Sequence, residues 1–207
     1  MSGGTVAAED SPLGGARLTL RLPTADLPYP GRMHSDPVIV ARERPDRADV
    51  LALLDEHLTD MFATSPAESV HALDHTALLD PRITFFTARD DGGALLGCGA
   101  LSVLGPDDGE IKSMRTSAAA RGRGVAGSVL LAILAEAREN GLTRIWLETG
   151  AEDYFAAARR LYVRNGFTEC GPFGSYVEDP HSVFMTLELS TDSTDSTDST
   201  APNAPNA

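Results

Sequence analysis

The chain has 207 residues, 42% hydrophobic and 23% charged, with a formal net charge of −13. That composition suits one well-buried globular domain and excludes fibrous or wholly disordered chains, while the acidic balance excludes a general affinity for nucleic acid, which is bound through clustered Lys and Arg. Cys98 and Cys170 stand far apart without CxxC or His spacing, no stretch approaches the roughly 18 apolar residues of a membrane span, and the N-terminus lacks basic and apolar signal regions, so the expectation is a soluble cytoplasmic protein with reduced thiols, no structural metal and no membrane contact.

Residues 1–35 are rich in Gly, Pro and small polar residues and read as a flexible arm with one short apolar alternation, "RLTLRL". The folded unit is expected over residues 36–189. "PVIVARE" is a strand, and "PDRADVLALLDEHLTDMFA" a helix with Val50, Leu51, Leu54, Leu58, Met61 and Phe62 on one face and Pro45-Asp46 as its start signal. A short helix over "AESVHALDHTALL" follows. "RITFFTA" and "LLGCGALSVL" form a hairpin, "GPDDG" turns the chain, and "EIKSMRTS" is a third strand. From Val125 the residues Val129, Leu130, Ile133, Leu134 and Ala137 recur at helical spacing until Asn140-Gly141. "TRIWLET" is a strand, "YFAAARRLYVRNGF" a helix, and "FTECGPF" and "SVFMTLEL" two closing strands. The order suits a mixed sheet covered by helices. The repeat "STDSTDSTDSTAPNAPNA" has nothing to bury, so residues 190–207 read as a disordered acidic tail.

The stretch "RTSAAARGRGVAGSVL" opens the central helix with no Ser, Thr, Asp or Asn just before its first apolar turn. The first four N–H groups of a helix lack internal partners, and side-chain oxygens usually cover them. Left bare after glycines, beside the positive end of the helix dipole, they form an anion site suited to phosphate. A Walker loop needs Gly-Lys-Ser/Thr where this chain has Gly124-Val125-Ala126, so that reading fails. The dinucleotide fingerprint matches at Gly122, Gly124 and Gly127, with Glu148 about 20 residues on. Its first glycine, however, should follow a buried and continuously apolar strand, and "EIKSMRT" carries three charges.

The loop Arg121-Gly122-Arg123-Gly124-Val125-Ala126 resembles the R/Q-x-x-G-x-G/A loop of the GNAT superfamily of N-acyltransferases, and "LYVRNGF" at Leu161 to Phe167 is similar to the family's later helix motif. Segments such as "ESVHALD" and "GEIKSMRT" look like a bacterial subgroup with poorly defined substrates. The resemblance runs from about Pro37 to Leu189 and implies an α/β fold, a mixed, mostly antiparallel sheet flanked by helices. It implies acetyl transfer from acetyl-CoA to an amine of a small molecule or peptide by direct attack, without a metal. The backbone of Arg121 to Gly127 would wrap the CoA diphosphate, and the strand around Met114, Arg115 and Thr116 would pair with the pantetheine arm.

An ammonium has no lone pair, so a base is needed. The resemblance gives that role to Glu110 and makes Tyr162 the acid that protonates the departing thiolate. A backbone N–H near Met114 is the candidate oxyanion donor. Period-2 alternation puts Glu110, Lys112, Met114 and Thr116 on one strand face and Ile111, Ser113 and Arg115 on the other. Lys112 pairs with Glu110 or binds a substrate carboxylate. Phe155 stands where many members carry a cofactor-contacting Asn, and His71, His75 and His181 lack HExxH spacing. The resemblance implies an acceptor site shaped by the first helices and the loops around Gly171 to His181, and homodimers are common among similar proteins. Two other readings predict different ligands: a CoA-binding regulator that has lost the chemistry, and a dinucleotide oxidoreductase.

Overall fold

The structure, a computed structural model, describes residues 5–10, 16–21, 37–64 and 76–190. Within the stretch expected as an arm, strands β1 (Thr5–Asp10) and β2 (Ala16–Arg21) pair antiparallel as a sheet of their own. The acidic tail beyond residue 190 lies outside the described residues, as do His71, His75 and most of the short helix expected over 67–79; its last residues, Ala77–Leu79, form a single 3-10 turn.

The folded unit is a seven-stranded sheet in the order β3-β4-β5-β6-β7-β9-β8. Its strands are β3 (Ile39–Arg42), β4 (Ile83–Arg89), β5 (Leu95–Val103), β6 (Asp108–Thr116), β7 (Arg144–Gly150), β8 (Thr168–Cys170) and β9 (Ser182–Glu188). Every neighbouring pair is antiparallel except β6 with β7. That parallel pair requires a crossover, supplied by helix α2 (Val125–Glu139). Helix α1 (Ala48–Thr64) precedes the sheet's meander, and α3 (Ala156–Arg164) follows β7 after a 3-10 turn at Asp153–Phe155.

Side-chain periodicity sorts two cores onto the two faces of the sheet. Val125, Val129, Leu130, Ile133, Leu134 and Ala137 of α2 pack on Phe86, Leu101, Ile111, Ile145 and Leu147. Each such aliphatic removes enough apolar surface to contribute about 1.5–3 kcal/mol relative to exposure. On the other face Val50, Leu53 and Leu54 of α1 pack on Phe85, Cys98 and Ala100. The helical face expected for α1 is corrected at two places: Leu53 joins the core, and Phe62 is 57% exposed. Gly141 (φ 73°) and Gly166 (φ 90°) close α2 and α3 in the left-handed conformation that glycine adopts without steric cost.

Candidate active site

β6 and β7 run side by side only from Asp108 with Arg144 to Ile111 with Leu147; past that point β7 continues on β9 alone. The two strands splay, and the β7-facing backbone edge of Lys112 to Thr116 has no strand partner. On its other edge, β6 carries an extra residue: Cys98 faces Arg115 and Ala100 faces Lys112, so Gly99 alone opposes Ser113 and Met114. Ser113 absorbs this bulge with φ 53°. Gly99 makes room for it, since a Cβ there would stand 2.5 Å from Met114 Sδ and 2.9 Å from Val129.

The bulge overturns the simple alternation read from sequence. Glu110, Lys112 and Arg115 share the α1-facing side with Ala100 and Cys98, whereas Ile111 and Met114 turn to the α2 core. Period 2 fails because one inserted residue reverses every side chain beyond it.

α2 begins at Gly124, which stands as its N-cap with φ 81° and makes no side-chain capping bond. The first helical acceptor bond is Ser128 N–H to the Gly124 carbonyl at 3.1 Å, which leaves the amides of Val125, Ala126 and Gly127 ahead of it without helical acceptors. Gly122 is left-handed as well, at φ 78°. A Cβ at either Gly122 or Gly124 would meet nothing within 4 Å, so the loop faces open space there.

A cleft of about 590 Å³ follows the splay. It is lined by Met114, Arg115, Thr116, Arg121, Gly122, Gly124, Val125, Ala126 and Gly127, together with Glu110 and Tyr162. Arg123 is the one expected site residue that does not line it; it is exposed. The cleft therefore collects a bare helix terminus, an open strand edge, a carboxylate and a phenol.

Tyr162 comes from α3 and packs edge-on to Phe167, with ring centroids 5.6 Å apart. Burial, with the Glu148 carboxylate adding to it, pushes its phenol above the ordinary range, so it stays protonated at neutral pH. Glu110 is 4% exposed. Its Oε1 accepts from Lys112 Nζ at 2.7 Å and from Tyr176 Oη at 2.7 Å, and Lys112 also donates to Tyr176 at 2.9 Å. Burial first, and Glu110 second, push the Tyr176 phenol up. Nothing in the sequence marks Tyr176, because its loop carries no periodicity and it reaches back 66 residues to Glu110. An aromatic cluster holds it, with Phe173 at 4.9 Å and Phe184 at 5.5 Å.

Arg115 ties three elements together: its terminal nitrogens donate to Asp60 of α1 at 2.5 Å and to Tyr154 at 3.1 Å. Bonds from Tyr154 and then Arg115 hold the Asp60 carboxyl below the usual carboxylate range. His57, from α1, lines the same cleft, and burial followed by the nearby Arg115 charge lowers its pKa to about 4. Phe155 fills the space over Gly150, where a Cβ would stand 2.1 Å from its ring. His181 Nδ1 lies 2.9 Å from Glu152. Among the described residues no group of three or more His, Cys, Asp or Glu is arranged to hold a metal ion, and no helix is long and apolar enough to cross a membrane.

Comparison with known proteins bears on this geometry. Residues 50–167 match the Acetyltransferase (GNAT) family. The chain is 51% identical over 140 residues to the uncharacterized N-acetyltransferase YsnE of Bacillus subtilis (strain 168), covering 68% of this chain and 92% of that protein. It is 41% identical over 152 residues to the IAA acetyltransferase of Azospirillum brasilense, covering 72% and 95% of the two chains. The crystal structure of a putative acyl-CoA N-acyltransferase from Klebsiella pneumoniae superposes with a TM-score of 0.61 at 28% identity, over 73% of this chain and 97% of that one. The splayed strands, the bare helix start and these similarities converge: the chain belongs to the GNAT family and is an acetyl-CoA-dependent N-acetyltransferase.

Proposed function

We propose that the cleft moves an acetyl group from acetyl-CoA to an amine of a small molecule or peptide in one direct displacement. The observation that carries this reading is the alignment, along one cleft, of the uncapped α2 start, the unpaired β6 edge and Tyr162. The amides of Gly122 and of Gly124 to Gly127 hold the diphosphate, helped by the helix dipole, with Arg121 adding charge. The Lys112–Thr116 edge offers the pantetheine amides the hydrogen bonds that β7 gives up at Ile111.

Glu110 takes the amine proton. Its Oε1 is engaged by Lys112 and Tyr176, so Oε2 is the oxygen left to take that proton. As the amine nitrogen bonds to the acetyl carbon, the carbon–sulfur bond breaks, and Tyr162 gives its proton to the sulfur. The backbone N–H near Met114 steadies the carbonyl oxygen. A cysteine relay has no support from Cys98, whose thiol burial pushes up to about 12, leaving it protonated.

A thermal-shift panel with a free-thiol assay tests the reading. Acetyl-CoA should stabilise the protein and an amine panel should release CoA thiol. Stabilisation by CoA without thiol release would indicate a regulator, and stabilisation by NAD(P) alone an oxidoreductase.

A further inference from the structure

Lys112 is the only lysine of the chain; the other basic residues among its 17 Lys and Arg are all arginine. That exception stands inside the cleft with its side chain 16% exposed. An ammonium has three N–H donors. Glu110 and Tyr176 take two of them, which leaves one for a ligand.

Arg115 presents the same face because of the bulge, with its side chain 9% exposed. Its terminal nitrogens serve Asp60 and Tyr154, while its buried Nε has no acceptor. His57 Nδ1 is likewise buried and without a partner. Among the described residues these are the two buried side-chain polar atoms left unpaired, and both residues line this one cleft. Folded proteins leave few such atoms unmatched, and these two lie just beneath the cleft surface, within reach of a ligand only when their side chains turn.

Charge narrows the ligand. Lys112 is balanced by Glu110 and Arg115 by Asp60, so the wall carries unspent donors without an excess of positive charge. Beside those donors, Glu110 Oε2 suits a cation. Donors for an oxyanion next to acceptors for an ammonium match a molecule that bears both. We infer that the acceptor is an amine carrying a carboxylate, of the amino-acid class, with its carboxylate on Lys112 and Arg115 and its nitrogen toward Glu110. This rests on the acetyltransferase reading above and narrows its acceptor.

Matched amines test the inference: glycine against methylamine, phenylalanine against phenethylamine, and tryptophan against tryptamine, each with acetyl-CoA and a thiol readout. At least one carboxylate-bearing member should exceed its partner in kcat/KM by about tenfold, the scale of a charge-assisted hydrogen bond. Lys112→Met should erase that preference through KM, and Lys112→Arg should restore part of it. Because the chain has one lysine, heavy-nitrogen labelling of lysine gives a single side-chain ammonium signal. N-acetylphenylalanine added to the CoA-loaded protein should shift that signal, and N-acetylphenethylamine should leave it in place. A panel in which no carboxylate-bearing amine exceeds its partner, or a signal indifferent to N-acetylphenylalanine, overturns the inference. Acetyl-CoA binding, followed separately by calorimetry, then shows whether the transferase reading stands without it.

Discussion

The two ends of the cleft are built by different means. At the proposed cofactor end, one contiguous stretch offers the backbone amides of Gly122 and of Gly124 to Gly127, and its two left-handed glycines set the geometry. At the proposed acceptor end, His57, Glu110, Lys112, Arg115, Tyr154 and Tyr176 converge from α1, β6 and the segments after β7 and β8, held by side-chain bonds such as Arg115 to Asp60. Backbone recognition of this kind tolerates side-chain change but not a change of φ. The dispersed end should show the reverse: its backbone is ordinary outside the bulge, and its function resides in atoms that single substitutions remove.

The largest effect expected of any substitution falls between the two ends. Tyr162→Phe should lower turnover about a hundredfold or more while acetyl-CoA binding by calorimetry stays near that of the parent, because only the proton for the sulfur is lost. Unchanged turnover would remove Tyr162 from the chemistry. Next in size, Gly124→Val forces a β-branched residue into φ 81° and should cost about 1–2 kcal/mol of folding stability, together with a larger loss of acetyl-CoA affinity than Arg121→Ala produces. If the arginine variant loses more, the backbone account of that end is wrong.

Gly99→Ala tests the acceptor end through the bulge. The added methyl meets Met114 Sδ at 2.5 Å, so denaturant melts should show a loss of about 1–3 kcal/mol. Acceptor KM should rise with it, since Lys112 and Arg115 share a face only while the bulge holds.

The smallest effect concerns pH. His57 has its folded pKa lowered from 6.5 to about 4, by burial first and by Arg115 second, with Asp60 opposing. The unfolded chain therefore binds the proton more readily in that window, and stability should fall as pH drops from 6.5 toward 4. His57→Gln should flatten this part of the curve. Carboxylates such as Asp60, held below their usual value of 3.8, add their own loss from about pH 5 downward, so the His57 contribution is read between pH 6.5 and about 5.

The same contrast explains what could be read in the sequence. The loop, the helix after it and the "LYVRNGF" helix were legible because each is a local pattern of spacing or of missing caps. β6 was legible as a strand, yet its facing was not: the bulge depends on Gly99 of a neighbouring strand, and nothing within "EIKSMRT" marks it. The pairing of Lys112 with Glu110 was legible from their spacing on one strand face. Tyr176 closing over both was not, since that contact exists only once β9 brings Phe184 under the loop. Phe62, apolar and at helical spacing, is exposed in the structure because the sheet meets α1 through Val50, Leu53 and Leu54 instead.

The most direct test of the account is a crystal structure with acetyl-CoA bound. Diphosphate oxygens should lie within hydrogen-bond reach of the amides of Gly122 and Gly124 to Gly127, with pantetheine along the open edge of Lys112 to Thr116 and its sulfur near Tyr162. A diphosphate seated elsewhere, or a loop that folds over its own amides when the ligand binds, would contradict it.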